Sequence, residues 1–228
     1  MRPAFCLLVV AKAPVPGFAK TRLCPPASRF QAAEIAAASL LDTLEAVLAT
    51  PGAIPVVAMS GDLATAACGG EISEALRDTA VLPQRGRDFA SRLANAHADT
   101  AALYCGLPVV QIGMDTPQVT AEILAAAAEP LLRGERDAVL GPAEDGGWWL
   151  LGLRDPYSAR VLGKVPMSQD DTGELTRRSL TAKGLKVEPL AVLSDVDTMA
   201  DANRVASLNP LSRFATAVAA VRGKDSAE

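Results

Sequence analysis

Hydrophobic positions along the chain fall into runs of two lengths. Short β-rich runs occupy 5–10, 54–59, 108–112 and 137–140. Longer alanine-rich stretches lie between them, at about 27–49, 88–104 and 118–133. The longer ones repeat apolar residues at helical spacing, as in Ile35, Leu40, Leu41, Leu44, Val47 and Leu48. Strand and helix therefore alternate. That order predicts an α/β, Rossmann-like domain with a mostly parallel sheet and helices on both faces. The near-continuous apolar strands agree, because a strand in such a sheet buries both of its faces.

Past residue 147 the pattern changes. Residues 148–153 predict a strand soon after the one at 137–140. The stretch 156–183 predicts short helices joined by a polar loop at 168–173, 185–190 an edge strand, and 198–207 and 211–222 two helices. There is no repeat and no low-complexity linker. The expected organisation is one domain over 1–222, with a frayed tail at 223–228. A length of 228 residues, half of them hydrophobic, suits a single domain with a sizeable core.

Composition removes several function classes. The formal charge is −4 with acids and bases interspersed, so no basic face for nucleic acid is expected. Four cysteines without a C-x-x-C pair, and the single His97, argue against a structural zinc site and a disulfide framework. They fit a reducing, cytoplasmic compartment. The apolar run 4–11 ends at Lys12 and reads as a buried strand rather than a signal peptide. No stretch approaches the roughly 18 apolar residues of a membrane span, so no membrane partner is expected.

In open α/β sheets the ligand sits beyond the carboxyl ends of the strands. The loops to inspect are therefore 12–24, 60–70, 84–88, 113–118 and 141–147. The first holds Lys12, Lys20 and Arg22, no acid, two prolines and Gly17. Three cations suit a polyphosphate, which arginine grips bidentately and lysine meets as a point charge, although an ordinary solvated loop has the same composition. It has neither the Walker A order nor G-x-G-x-x-G. Asp115, followed by Thr116-Pro117, is either a ligand for a hard divalent cation or a helix cap. Glu144 and Asp145 adjoin Gly146-Gly147, which permit close backbone approach or simply a tight turn. Trp148 and Trp149 follow, and in a strand they point to opposite faces, one to the core and one to a pocket. Asp195 and Asp197 alternate, so in an extended segment one of them faces a metal; Asp197-Thr198 also suits a helix cap. Gln84 and Arg92 lie at a strand end and on the first turns of a helix, as phosphate or base contacts. His97, one turn beyond Leu93, is expected half-buried and not a catalytic base.

Four segments, 11–23, 113–118, 140–148 and 195–198, resemble in order the nucleotide-diphospho-sugar transferase superfamily, with its glycosyltransferase A-type fold. The chain looks most like the radical-SAM/selenodomain-associated transferase branch. The resemblance implies a Mg2+ or Mn2+ ion held by Asp115 and Asp197, and nucleotide binding by the loop that carries Lys12, Lys20 and Arg22; Gly17, Gln84 and Arg92 are further nucleotide-binding candidates read from the loops themselves. It implies a second substrate near Glu144, Asp145, Gly146 and Gly147; Trp148 and Thr172 are further substrate-binding candidates. Lys20 would neutralise the leaving group, and Asp145 would orient or deprotonate the acceptor. The nucleotidyltransferase signature G-x-G-x-R…P-K is absent from the first loop, and a D-x-D is absent after the fourth strand. The implied activity is transfer from a nucleotide-sugar to a small-molecule acceptor. A second reading is nucleotidyl transfer from an NTP to a small phosphorylated acid with pyrophosphate release, since 20–23 and 195–198 also resemble guanylyltransferases of deazaflavin-cofactor biosynthesis. A third is a non-catalytic nucleotide-binding protein.

Overall fold

The run 5–11 carries no polar side chain. In the computed structural model, which describes residues 4–225, it forms the central strand β1 (Phe5–Lys12), buried from Phe5 to Ala11. β1 pairs in parallel with β2 (Ala53–Ser60) on one side and β4 (Val109–Ile112) on the other. β3 (Ala80–Pro83) extends the sheet beyond β2. On the other flank the order continues β4, β6 (Trp148–Leu153), β5 (Ala138–Pro142), β7 (Val187–Pro189). β6 runs antiparallel to both neighbours, and every other pairing is parallel. The reason is chain length. Residues 143–147 are too few for the crossover that a parallel connection requires, so β6 can only fold back as a hairpin.

The helices lie where the apolar periodicity puts them. α1 (Arg29–Ala49) and α3 (Phe89–Leu103) each begin with a capping box, Ser28 with Gln31 and Asp88 with Ser91. α4 (Ala121–Leu132) starts at Thr120, whose hydroxyl accepts from the Ile123 amide. The loop expected at 60–70 contains a 3-10 turn (Leu63–Thr65) and ends in a short helix, α2 (Gly69–Ala75). Its seven residues include two glycines, too little apolar periodicity to stand out. The segment after β6 forms a 3-10 helix (Pro156–Lys164) and then α5 (Thr172–Ala182). α6 (Met199–Ala206) and α7 (Arg213–Asp225) follow. α7 runs through 223–225 of the expected frayed tail, and 226–228 lie outside the described residues.

One apolar layer joins the sheet to α1, α2 and α4; another joins its opposite face to α3, the 3-10 helix and α5. A third cluster, around Leu23, Ile35, Val196, Val205 and Phe214, clamps α1, α6 and α7 together. All four cysteines are free, and no helix among the described residues is long and apolar enough to cross a membrane.

His97 is fully buried in α3 rather than half-buried, because its face of the helix packs under the 3-10 helix. Neither ring nitrogen has a partner among the described residues, and burial pushes its pKa down to about 3. The unfolded chain takes up a proton near pH 6.5 and the folded one does not, so stability falls as pH drops from 6.5 toward 3. The slope from this residue is about 1.4 kcal/mol per pH unit. In urea unfolding, His97→Leu should therefore lose less stability than wild type between pH 6.5 and 4; parallel pH profiles would refute this account.

Candidate active site

The loop that follows β1 is fixed at both ends. The Ala13 amide donates to the Ser60 carbonyl at 2.7 Å, and Leu23, fully buried, plugs into the third apolar cluster. Lys20 takes a left-handed backbone conformation just before the turn at Thr21–Leu23. Its side chain runs inward and is 14% exposed, while Arg22 stays 76% exposed. Val196 occupies the same cluster as Leu23 and anchors the segment carrying Asp195 and Asp197. That segment is tied to the loop after β4 by three hydrogen bonds. The Val196 amide donates to the Asp115 carbonyl (3.1 Å), Gln118 Nε2 to the Ser194 carbonyl (2.6 Å), and Thr116 Oγ1 to Asp195 Oδ1 (2.9 Å).

These ties bring distant charges together. Lys20 Nζ donates to Asp115 Oδ2 at 2.8 Å and to Asp197 Oδ1 at 3.3 Å, and Arg22 Nη1 to Asp197 Oδ2 at 3.0 Å. Burial disfavours the Lys20 ammonium, but Asp115 and then Asp197 outweigh it and its pKa is raised. Gly113 leaves room for this arrangement, since a Cβ there would lie 2.8 Å from Asp115 Oδ1. Burial, and the charges of Asp115 and Asp145, push the Asp195 carboxyl up to about 7 despite the Thr116 hydrogen bond. The segment around Asp195 is not a regular strand; Asp197 accepts from Lys20 and Arg22 while Asp195 accepts from Thr116, and both residues line one cleft.

The cleft, of about 420 Å3, opens at the carboxyl ends of β1, β2 and β4 over the α3 face of the sheet. A smaller cavity of about 270 Å3, lined by Lys20 and Arg22, adjoins it, and Lys12, Met114, Asp115 and Asp197 belong to both. Trp148 faces the cleft, while Trp149 packs in the opposite layer and donates to the Ala191 carbonyl at 3.0 Å. Lys12 Nζ donates to the Phe18 carbonyl (3.1 Å), and Arg92 Nε lies 3.4 Å from the Gly86 carbonyl. Gln84 lines the cleft but spends its amide nitrogen on the carbonyls of Ala11 (2.8 Å) and Ala58 (2.9 Å), stitching β1 to β2. Gly17, with φ +81°, makes the loop's turn and lines neither cavity.

On the far wall, the β5–β6 turn and the loop before α5 interlock. Asp145 Oδ1 accepts from the Gly147 amide at 2.8 Å, and the Gly173 amide donates to the Gly146 carbonyl at 2.8 Å. Gly146 has φ +87°, and any Cβ there would overlap the Asp170 backbone. Thr172, buried, donates to the Pro166 carbonyl (2.9 Å) and accepts from the Gln169 amide (3.0 Å). Asp145, Gly147, Trp148 and Thr172 line the cleft. Glu144 does not: it pairs with Arg204 at 2.8 Å on the outside. Asp170 and Asp171 are exposed and also lie outside the cleft lining. Asp195 lines it beside Asp197, and so does Gln111, which sequence reasoning passed over. Gln111 is a lone polar residue in an apolar strand, and that was its available signal.

Among the described residues no group of three or more His, Cys, Asp or Glu side chains could hold a metal ion. The pair Asp115 and Asp197 does fit magnesium or manganese, which commonly take one or two carboxylates and draw further ligands from substrate phosphates and water. Lys20 stands between those two carboxylates.

Gly146→Ala should lower stability by about 2 kcal/mol or more, roughly 4–8 °C in melting temperature for a chain of this size, because backbone cannot yield as a flexible side chain would. An unchanged melting temperature would show the interlock to be dispensable.

The family described as "Uncharacterized protein conserved in bacteria (DUF2064)" matches residues 43–169. No curated protein matches the chain. The crystal structure of a "putative nucleotide-diphospho-sugar transferase from Desulfovibrio desulfuricans G20" is similar, with a TM-score of 0.81 and 28% identity over 99% of this chain and 96% of that one. CMP:2-keto-3-deoxy-manno-octonic acid synthetase complexed with CTP gives a TM-score of 0.56 at 10% identity, covering 90% and 98%. Rv0371c of Mycobacterium tuberculosis H37Rv, complexed with manganese, gives 0.50 at 19% identity, covering 90% and 98%. The last two share the fold with this chain. The architecture is that of a nucleotide-diphospho-sugar transferase.

Proposed function

Because the chain belongs to the bacterial DUF2064 family and has the nucleotide-diphospho-sugar transferase fold, we propose that it is a metal-dependent transferase using a nucleotide-activated donor. The observation that carries this reading is the meeting of Asp115 and Asp197 with Lys20 and Arg22 at the sheet's carboxyl edge. Two carboxylates and two cations in one place suit a polyphosphate approached with a divalent ion. When bound, magnesium or manganese would supply Lewis-acid stabilisation of charge on the donor phosphates. Asp115 and Asp197 would hold it, and manganese in the complex of Rv0371c supports the choice.

Lys20 has to give up those carboxylates for this to happen. Its ammonium then has the donor phosphates as its new partner, and Arg22, already exposed, joins it in neutralising the leaving group. Lys12, shared by both cavities, serves the same charge. Asp145, on the opposite wall, orients or deprotonates the acceptor hydroxyl. Glycosyl transfer is the leading chemistry, supported by the description of the 28% identical structure. Nucleotidyl transfer is the second reading, supported by the CTP complex of a protein with the same fold.

The deciding experiment is a thermal-shift screen of nucleotide-sugars and NTPs, each with and without magnesium or manganese. A ligand that binds the native state raises the melting temperature. A metal-dependent shift with a nucleotide-sugar, followed by glycosyl transfer without pyrophosphate, supports the leading reading; an NTP shift with pyrophosphate release supports the second; no metal-dependent shift with any of them refutes both. Asp115→Ala should abolish the metal-dependent shift and keep the fold, as read by circular dichroism. Lys20→Met leaves Asp115 and Asp197 facing one another without their ammonium. In chelator its melting temperature should drop by several degrees, and manganese should recover more in the variant than in wild type. Equal manganese shifts would show that Lys20 and metal do not share the carboxylates.

A further inference from the structure

Residues 194–197, which carry Asp195 and Asp197, belong to no strand or helix. Backbone without a ladder is held in place by the contacts made on it. One side chain makes such contacts on both sides of Asp197. Arg204, in α6, places its Nη2 2.5 Å from Ser194 Oγ and 3.1 Å from Asp201 Oδ1, and donates to both. Ser194 precedes Asp197. Asp201 follows it, and its Oδ2 accepts at 2.9 Å from the amide of Thr198, the residue next to Asp197. The same Arg204 nitrogen stands 2.8 Å from Glu144 Oε2. Glu144 adjoins Asp145 in the β5–β6 turn, and its own amide donates to the Leu193 carbonyl at 3.0 Å. One guanidinium thus grips the chain before Asp197, the chain after it and the neighbour of Asp145.

Local preferences do not call for all three contacts. An arginine suits the last turn of a helix, and Asp201 lies one turn away from it. Neither fact explains Ser194 or Glu144. Stability does not explain them either. Arg204 is 53% exposed and Glu144 50%, and ion pairs so exposed contribute little to the fold. A planar guanidinium fixes direction as well as charge, and groups behind a metal ligand orient it. Asp145 lines the wall opposite the Asp115–Asp197 pair, so the separation of the two walls depends on what joins the turn to the 194–198 segment.

We propose that Arg204 is a positioning residue. Through Ser194 and Asp201 it fixes the place of the Asp197 carboxylate, where that group can hold a divalent ion together with Asp115, and through Glu144 it ties that place to the turn carrying Asp145. The assignment rests on the metal-dependent reading above. It gives Glu144 a task outside the cleft, as the anchor of Arg204 rather than a contact to substrate.

Charge and geometry predict opposite signs for one variant, which makes the test sharp. Acting through charge alone, loss of the Arg204 cation tightens manganese binding and loss of the Glu144 carboxylate weakens it. If the pair positions Asp197, both losses weaken it. Isothermal titration of manganese, with and without pyrophosphate, compares wild type, Arg204→Met, Glu144→Gln and the double variant; melting temperatures are taken in chelator. Each single variant should bind manganese about fivefold or more weakly than wild type. The double variant should lie within about twofold of Arg204→Met, since both substitutions break the same tie. Melting temperatures should stay within about 2 °C of wild type, as for other exposed pairs. Tighter or unchanged binding by Arg204→Met overturns the proposal. Unchanged binding by Glu144→Gln, or losses that add in the double variant, overturns the tie between the walls and the proposal with it. A melting temperature lowered by several degrees in both single variants does the same, because the pair would then serve the fold. Wild type that binds manganese no differently from the variants removes this proposal alone; wild type that binds none, with or without pyrophosphate, removes the metal-dependent reading as well.

Discussion

Asp115, Asp145, Asp195 and Asp197 converge on one cleft, and the rest of the site is arranged around holding them there. Two like unit charges 4 Å apart repel by about 4 kcal/mol at the effective dielectric of a protein surface. The fold meets this in two ways. Lys20 is inserted between Asp115 and Asp197 with Arg22 behind it, and Asp195, more deeply buried, holds its proton up to about pH 7. Cations so placed against carboxylates are also well placed to transfer to phosphates, so the interaction that stabilises the free protein is the one that binding would exchange.

The apolar cluster at the base of α1, α6 and α7 is what makes that convergence affordable. Leu23 and Val196 belong to it with Ile35 and Phe214, Leu23 just beyond the cationic residues of its loop and Val196 between the two C-terminal aspartates. Burying each such side chain contributes about 1.5–3 kcal/mol. Three hydrogen bonds then tie the segment to the loop after β4. The charged groups are thus held through their apolar and backbone neighbours as well as by their own ion pairs.

The two walls of the cleft are built differently. On the β1 side, Gln84 stitches strands together and Lys12 braces its own loop, so polar groups at the surface are largely engaged. On the β6 side, backbone meets backbone, with Gly146 and Gly173 letting the loop before α5 lie directly on the β5–β6 turn. The similarity to a nucleotide-diphospho-sugar transferase structure extends over nearly the whole of both chains.

The sequence by itself determined the alternation of strands and helices, the parallel central sheet and the loops that carry charge, because periodicity and strand burial are local consequences of residue order. It placed Trp148 and Trp149 on opposite faces for the same reason. It also brought Asp115, Asp197, Lys20 and Arg22 under suspicion. Only the tertiary structure decided that Lys20 bridges the two aspartates, that Asp195 joins them, that Glu144 turns outward to Arg204, and that His97 is wholly buried. Each of these depends on contacts between segments far apart in the chain, or on irregular backbone where no period predicts which way a side chain points.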